Sequence, residues 1–319
     1  MWSDVVDAET IRVPVVPGRV AVIGLGRSGL PLALQCAVRG WRVLGCDTNP
    51  RVVECVNAGR TPLNEEADLE SELPALVERG LLSATLNTNE AVARANVVIV
   101  TVPLQTDENH EIRFQALDAV TEVIGRALQH GTLVSYETAL PVGTTVGRLR
   151  GKLESCSGLD ASRGFYLASS PARVSPGRVL RDLRTHPKII GGLDARSAQA
   201  ATAFYRSILP TEVVNMASPT EAEFVKLIET TYRDVNIALA NEFARYADEH
   251  GLDVQAAIAA ANTRQLVHLH QPGVGVGGHE LPVYPYLLIH DMQPGEAVEG
   301  QGGVQHLELA RKARQINDD

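Results

Sequence analysis
The 319-residue chain is predicted to be an α/β protein: a doubly wound parallel sheet followed by a helical domain built on one long helix. Three observations predict it. Short β-branched runs alternate with helical stretches up to about residue 216. A glycine-rich turn joins the first such run to the first helical stretch. Over 217–251 the alternation gives way to one long amphipathic pattern. Strands alternating with helices pair in parallel, with helices on both faces. The division is then an arm over 1–16, an α/β domain over 17–216 and a helical domain over 217–319.

Val20–Ile23 reads as a buried strand, followed by the turn, a helix to about Arg39 and a second strand, Trp41–Cys46. Further strands are expected at Ala95–Val102, Thr132–Tyr136, FYLASS (165–170) and KIIGG (188–192). In the long segment Ser218 or Thr220 caps an acidic first turn, and Gly251 stops the helix. At about 1.5 Å per residue it spans on the order of 45 Å. Its face of Phe224, Leu227, Ile228, Tyr232, Val235 and Leu239 reads as core or as a dimer interface. A helix follows over 253–263, then the loop GVGGHELP (275–282), YPYLLIH, a connector at 295–305 and a terminal helix ending at Asp318.

The charge excludes one class of function. Twenty-nine basic and 38 acidic residues leave −9, which argues against a nucleic-acid partner. No apolar run of about 18 residues is present, and the first twenty residues do not resemble a signal peptide. A soluble, cytoplasmic protein without a membrane partner is expected. Cys36, Cys46, Cys55 and Cys156 lack metal-ligand spacing and are expected to be reduced thiols. His268 and His270 would share one face of a strand. Neither they nor His279 and His290 have the carboxylate or cysteine spacing of a metal site, so no metal is expected.

Gly24-Leu25-Gly26-Arg27-Ser28-Gly29 matches GxGxxG between a strand and a helix, and the second strand ends in Asp47. This is the Rossmann-type dinucleotide turn. The first glycine allows the tight turn, the second the approach of a pyrophosphate, the third close packing of helix on strand. Helix-terminal amides and dipole favour the phosphates. Asp47 suits the ribose hydroxyls of NAD and repels a 2′-phosphate, although nearby Arg51 keeps NADP open.

The segments VAVIGLGRSGLPLA, YETALPVGTT (136–145), SSPARVSPGRVL (169–180), TEAEFVKLIETTYRDVNIALANE (220–242) and PGVGVGGHELPVYPYLL (272–288) resemble the UDP-glucose/GDP-mannose dehydrogenase family, nearest its UDP-N-acetylmannosamine branch. The resemblance implies an NAD domain in which Val102, Pro103, Glu137 and Thr138 join the turn at the cofactor. It implies a homodimer through helix 217–250, and normally a third domain that grips the substrate's nucleotide. It also implies two successive oxidations of a sugar CH₂OH. A cysteine thiolate traps the intermediate aldehyde, and the resulting thioester is hydrolysed to the acid.

The departures cluster on capture and hydrolysis. In GGxCxPxDP the cysteine is Glu280 here and the following acid is Tyr284. KLxENT reads Lys226-Leu227-Ile228-Glu229-Thr230-Thr231, VPTP reads Val102-Pro103-Leu104-Gln105, and the glutamate of PER is lost in Pro171-Ala172-Arg173. An arginine usual before the glycine loop is Leu266, with Arg264 nearby. The resemblance carries Lys226, Glu137 and Asn236 over as catalytic positions. Arg173, Thr230, Arg264, Gly277, Gly278 and His279 are carried over as substrate contacts. Glu280 is a candidate general base. Tyr284 is a second one, if Lys226 favours its phenolate.

A carboxylate cannot replace a thiol as an aldehyde trap. The expected function is therefore one NAD-dependent two-electron oxidation, or the reverse reduction, of a hydroxyl on a nucleotide sugar, nucleoside or sugar phosphate. The chain stops near Asp318, where the family's third domain would begin, as either a truncated piece or a natural two-domain form; the smaller substrates enter for the second of these. Two alternatives stand beside it: an epimerase working by transient oxidation, and a non-catalytic NAD-binding partner subunit.

Overall fold
A computed structural model describes residues 17–63, 67–161, 163–278, 280–289 and 307–318. The arm over 1–16, the connector over 295–305, His279 and His290 lie outside them.

Among the described residues ten strands are defined: β1 Arg19–Ile23, β2 Arg42–Cys46, β3 Leu82–Thr85, β4 Val97–Val100, β5 Gln105–Thr106, β6 Ile112–Arg113, β7 Leu133–Tyr136, β8 Tyr166–Ser169, β9 Lys188–Gly192 and β10 Val213–Met216. Eight form one sheet in the order β10-β9-β8-β7-β4-β1-β2-β3, and β5 and β6 form an antiparallel hairpin of their own. The central strands β4 and β7 are buried at every position. Strands covered on both faces read as continuous apolar runs, which is why they were visible in the sequence.

The sheet departs from a purely parallel one. β8 and β9 pair antiparallel, and β10 then runs parallel to β9. The strands β3 and β10 join the six expected ones at the two edges. Both edge strands are short and only partly apolar, LSAT and VVNM, so neither stands out as a run.

The chain divides into two compact units. The first comprises residues up to Leu104, Phe114–Thr138 and Gly143–Ala222; the second takes Gln105–Arg113, Ala139–Val142 and everything from Glu223 onward. A single break at residue 216 misses the two short excursions, because each is flanked by elements of the sheet. The first unit's core packs sheet residues such as Val20, Val22, Ile99 and Ile190 against Leu30, Leu34, Trp41 and Phe204. In the second, Ala139, Leu227, Tyr284 and Leu287 form a small buried cluster.

The long helix runs Pro219–His250. Ser218, not Thr220, caps it: its Oγ accepts from the Glu221 amide at 3.2 Å, while Glu221 accepts from the Ala217 amide at 2.8 Å. The Glu221 carboxylate thus reaches back past the cap to the preceding amide, a variant of the capping box. Gly251, at φ 65°, ends the helix.

The helix is apolar on the outside. Phe224, Ile228, Tyr232, Leu239, Phe243 and Tyr246 are 39–58% exposed, whereas Glu223, Lys226, Thr230, Asp234 and Asn241 are buried. At 3.6 residues per turn these stripes lie on roughly opposite faces. Of the apolar face read from the sequence, Leu227 alone is fully buried.

Candidate active site
The dinucleotide turn is assembled by short-range geometry. Gly24 sits at φ 95°, which only glycine adopts readily. A side chain at Gly29 would stand 1.9 Å from the Gly24 carbonyl oxygen, so this glycine lets the helix Gly29–Val38 close on β1. At Gly26 a side chain would meet nothing within 4 Å. The turn therefore leaves an open backbone beside a helix N-terminus, the space a pyrophosphate needs. Arg27 is exposed and Ser28 half-buried at its rim.

Asp47 closes the second strand. Its Oδ2 accepts from the Leu25 amide and its Oδ1 from the Asn49 amide, each at 2.9 Å. Both oxygens keep further lone pairs for a ribose. The chain thus offers the turn, the open amides and the acidic ribose acceptor that NAD requires.

Glu137 and Thr138 are fixed by hydrogen bonds within the first unit. Glu137 is 3% exposed and accepts from Lys188 Nζ at 2.5 Å and from the Tyr205 hydroxyl at 2.6 Å. Burial, reinforced by that carboxylate, pushes the Tyr205 phenol up. This buried network bridges the end of β7, β9 and the helix Ala195–Ile208. The Glu137 carboxylate is paired with a lysine that the sequence showed only as part of the strand KIIGG. Thr138 donates to the Val102 carbonyl at 2.8 Å and so fixes the turn that carries Val102 and Pro103. Arg173 donates to the Pro187 carbonyl at 2.9 Å.

In the second unit the structure brings two predicted residues together. Lys226 Nζ donates to Glu280 Oε2 at 3.0 Å, with side chains 7% and 29% exposed. Lys226 comes from the buried face of the long helix, and Glu280 from the end of the glycine loop. The ammonium also lies 5.6 Å from the centroid of the Tyr284 ring. The Tyr–Lys pair expected for Tyr284 is thus a contact of the ammonium with the ring face. The cation faces the ring and is paired with Glu280, while burial and the Glu280 charge push the phenol well above its ordinary range. Tyr284 is therefore held neutral.

Glycines make the loop permissive. Gly275 and Gly278 have φ of 71° and 88°, and a side chain at Gly273, Gly275, Gly277 or Gly278 would meet nothing within 4 Å. The Glu280 carbonyl accepts from the Tyr284 amide at 2.7 Å and so starts the helix Tyr284–Ile289.

Three other predicted positions are not brought to this pair. Asn236 uses both ends of its amide on backbone: it donates to the His268 carbonyl and accepts from the His270 amide, each at 2.7 Å. That fastens 268–270 to the helix. Thr230 is buried and its hydroxyl returns to the Lys226 carbonyl at 2.9 Å. Arg264 is exposed.

The sequence reading missed Asp234, Asn241, Arg314 and Asn317, which are buried in the second unit and linked by hydrogen bonds. Their only signal was polar side chains inside two strongly periodic helices. The four cysteines all precede residue 157 and belong to the first unit. Burial pushes the Cys46 thiol up to about 12 and Cys36 higher still.

Residues 18–209 match the UDP-glucose/GDP-mannose dehydrogenase family, NAD binding domain, and residues 220–319 match that family's central domain. NAD is accordingly the cofactor for which the turn is built. The chain is 38% identical over 302 residues to a UDP-N-acetyl-D-mannosamine dehydrogenase of Pyrococcus horikoshii, covering 94% of this chain and 68% of that protein. It is 35% identical to an NDP-N-acetyl-D-galactosaminuronic acid dehydrogenase of Ralstonia solanacearum, with the same coverage. A solved structure of a UDP-D-ManNAc dehydrogenase from Pyrococcus horikoshii superposes with a TM-score of 0.85 at 37% identity, covering 94% of this chain and 68% of that one. The chain thus spans about two thirds of the length of these relatives.

Proposed function
The chain belongs to the UDP-glucose/GDP-mannose dehydrogenase family, and from that premise we propose that it performs a single two-electron oxidation of a sugar hydroxyl and stops there. The substrate class is a nucleotide sugar, as the names of its relatives suggest, or a smaller nucleoside or sugar phosphate. One observation carries the reading: the Glu280 carboxylate stands 3.0 Å from Lys226 in a unit that contains no thiol.

NAD supplies the hydride acceptor when bound. Glu280 takes the hydroxyl proton, for which a partly exposed carboxylate at hydrogen-bonding reach of the substrate is suited. Lys226, nearly buried, donates to the oxygen as negative charge develops on it; a fixed cation is most effective away from water. Neither side chain can form and release a thioester, so the product remains an aldehyde or ketone. The exposed stripe Phe224, Ile228, Tyr232, Leu239, Phe243 and Tyr246 is read as the surface on which a second copy of the chain packs.

The test is to incubate the chain with NAD and a panel of nucleotide sugars, nucleosides and sugar phosphates, following NADH and product mass. NADH with loss of two hydrogens from the substrate is expected. A carboxylate product would overturn the proposal. Inversion at one carbon without net NADH would make the protein an epimerase instead, and NAD binding without turnover a non-catalytic subunit.

A further inference from the structure
A second ionic cluster occupies the buried face of the long helix, and the proposed chemistry does not use it. Arg314, on the terminal helix Glu308–Asp318, is 2% exposed. Its Nη1 donates to Asp234 Oδ1 at 2.6 Å and to the Leu281 carbonyl at 3.3 Å, and its Nη2 donates to Asp318. Asn317 donates to the carbonyl and to Oδ1 of Asp234, each at 2.9 Å. Asp234 lies about two turns beyond Lys226 on the same helix, and Leu281 follows Glu280. One guanidinium therefore joins the element that carries Lys226 to the residue next to Glu280.

The other end of the loop is held by the Gly273 amide on Asn241 Oδ1 at 2.9 Å, and Asn241 in turn donates to Asn317 Oδ1 of the same cluster at 3.3 Å. Between these holds the glycines have open space around them and supply no packing of their own. The cluster is also not an arrangement optimised for stability alone. Asp234 Oδ2 and Arg314 Nε are buried with no hydrogen-bond partner among the described residues. A buried pair left partly unsatisfied is weak evidence for stability, and an apolar pair of similar volume is often as stable or more so.

We propose that Arg314 is a positioning residue: by gripping Asp234 and the Leu281 carbonyl together it holds the Glu280 carboxylate against Lys226. The proposal rests on the reading of Glu280 as the proton acceptor. A guanidinium suits the task because its donors are fixed in one plane and reach two acceptors at once, whereas an ammonium is a single point of charge.

Removing Arg314 alone would strand a buried carboxylate and endanger folding. The informative variants are Arg314→Lys, which keeps the charge, and Asp234→Leu combined with Arg314→Met, which removes both charges. Two readouts are taken on the full chain. The first is kcat and KM with NAD and the substrate found above. The second is the rate at which a limiting amine-reactive reagent labels Lys226, followed by peptide mass spectrometry, with Glu280→Gln as the standard for a broken pair.

In both variants kcat falls about tenfold or more with little change in KM, and Lys226 labelling rises toward the Glu280→Gln value while the melting curve stays cooperative. A variant that only lowers the melting temperature, with wild-type labelling and kcat in the folded protein, would overturn the proposal. If the wild-type chain turns over nothing, the functional reading fails, and the labelling rates still decide whether Arg314 holds the pair.

Discussion

Glu280 can accept a proton but cannot hold an aldehyde carbon through two oxidations, because a carboxylate is a weak nucleophile whose adduct reverts. Glu280→Cys places a thiol at the same loop position beside Lys226. With NAD and substrate the variant is expected to gain the mass of a covalently trapped aldehyde, which intact-protein mass spectrometry would detect and the wild type would lack. It is not expected to complete hydrolysis, since Tyr284 still stands in place of the acid. Tyr284 gives a second prediction. Its phenol is raised by burial and by the Glu280 charge, so it stays protonated through the working range and loses its proton only at far higher pH. Tyr284→Phe should therefore leave the pH profile of kcat unchanged and alter kcat by less than about threefold; loss of an alkaline limb would show that the phenol titrates in catalysis. At this scale the sequence was silent where a partner lay far away. The partner of Glu137 was not foreseen: its lysine sits 51 positions on, in a strand whose apolar run hid it.

Among the elements, the dinucleotide turn was the most legible, because all its determinants lie within a few residues. Its three glycines nevertheless do different work, and two substitutions separate them. Gly29→Ala drives a methyl into the Gly24 carbonyl and should destabilise the fold by about 1–3 kcal/mol in addition to impairing NAD binding. Gly26→Ala has free space and should melt like the wild type while losing NAD affinity. Thermal melts with and without NAD would distinguish the two; equal melting temperatures for both apoproteins would contradict this account. The long helix was legible in length and caps but not in orientation. Periodicity locates an apolar stripe and does not say whether it faces inward. Here tertiary contacts bury Glu223, Lys226 and Asp234 instead.

At the scale of the whole molecule, two units were anticipated, but the excursions of 105–113 and 139–142 into the second were not, since only three-dimensional contacts assign them. No helix among the described residues is long and apolar enough to cross a membrane. The exposed stripe leads to a prediction at this scale. Light scattering on the eluted protein should give about twice the chain mass, and Ile228→Glu with Tyr232→Glu should give a single chain mass. Equal masses for wild type and variant would exclude that face as the interface.

The glycine stretch 273–278 has a consequence for release. Glycine backbone with no side chain to pack has the most freedom to lose when a ligand orders it, and ordering a residue opposes binding by roughly 1–2 kcal/mol. Affinity is then lower than the contacts alone would give, and the product departs correspondingly faster. Under the proposed single oxidation, the carbonyl product would by this route pass to solvent or to a following enzyme soon after it forms.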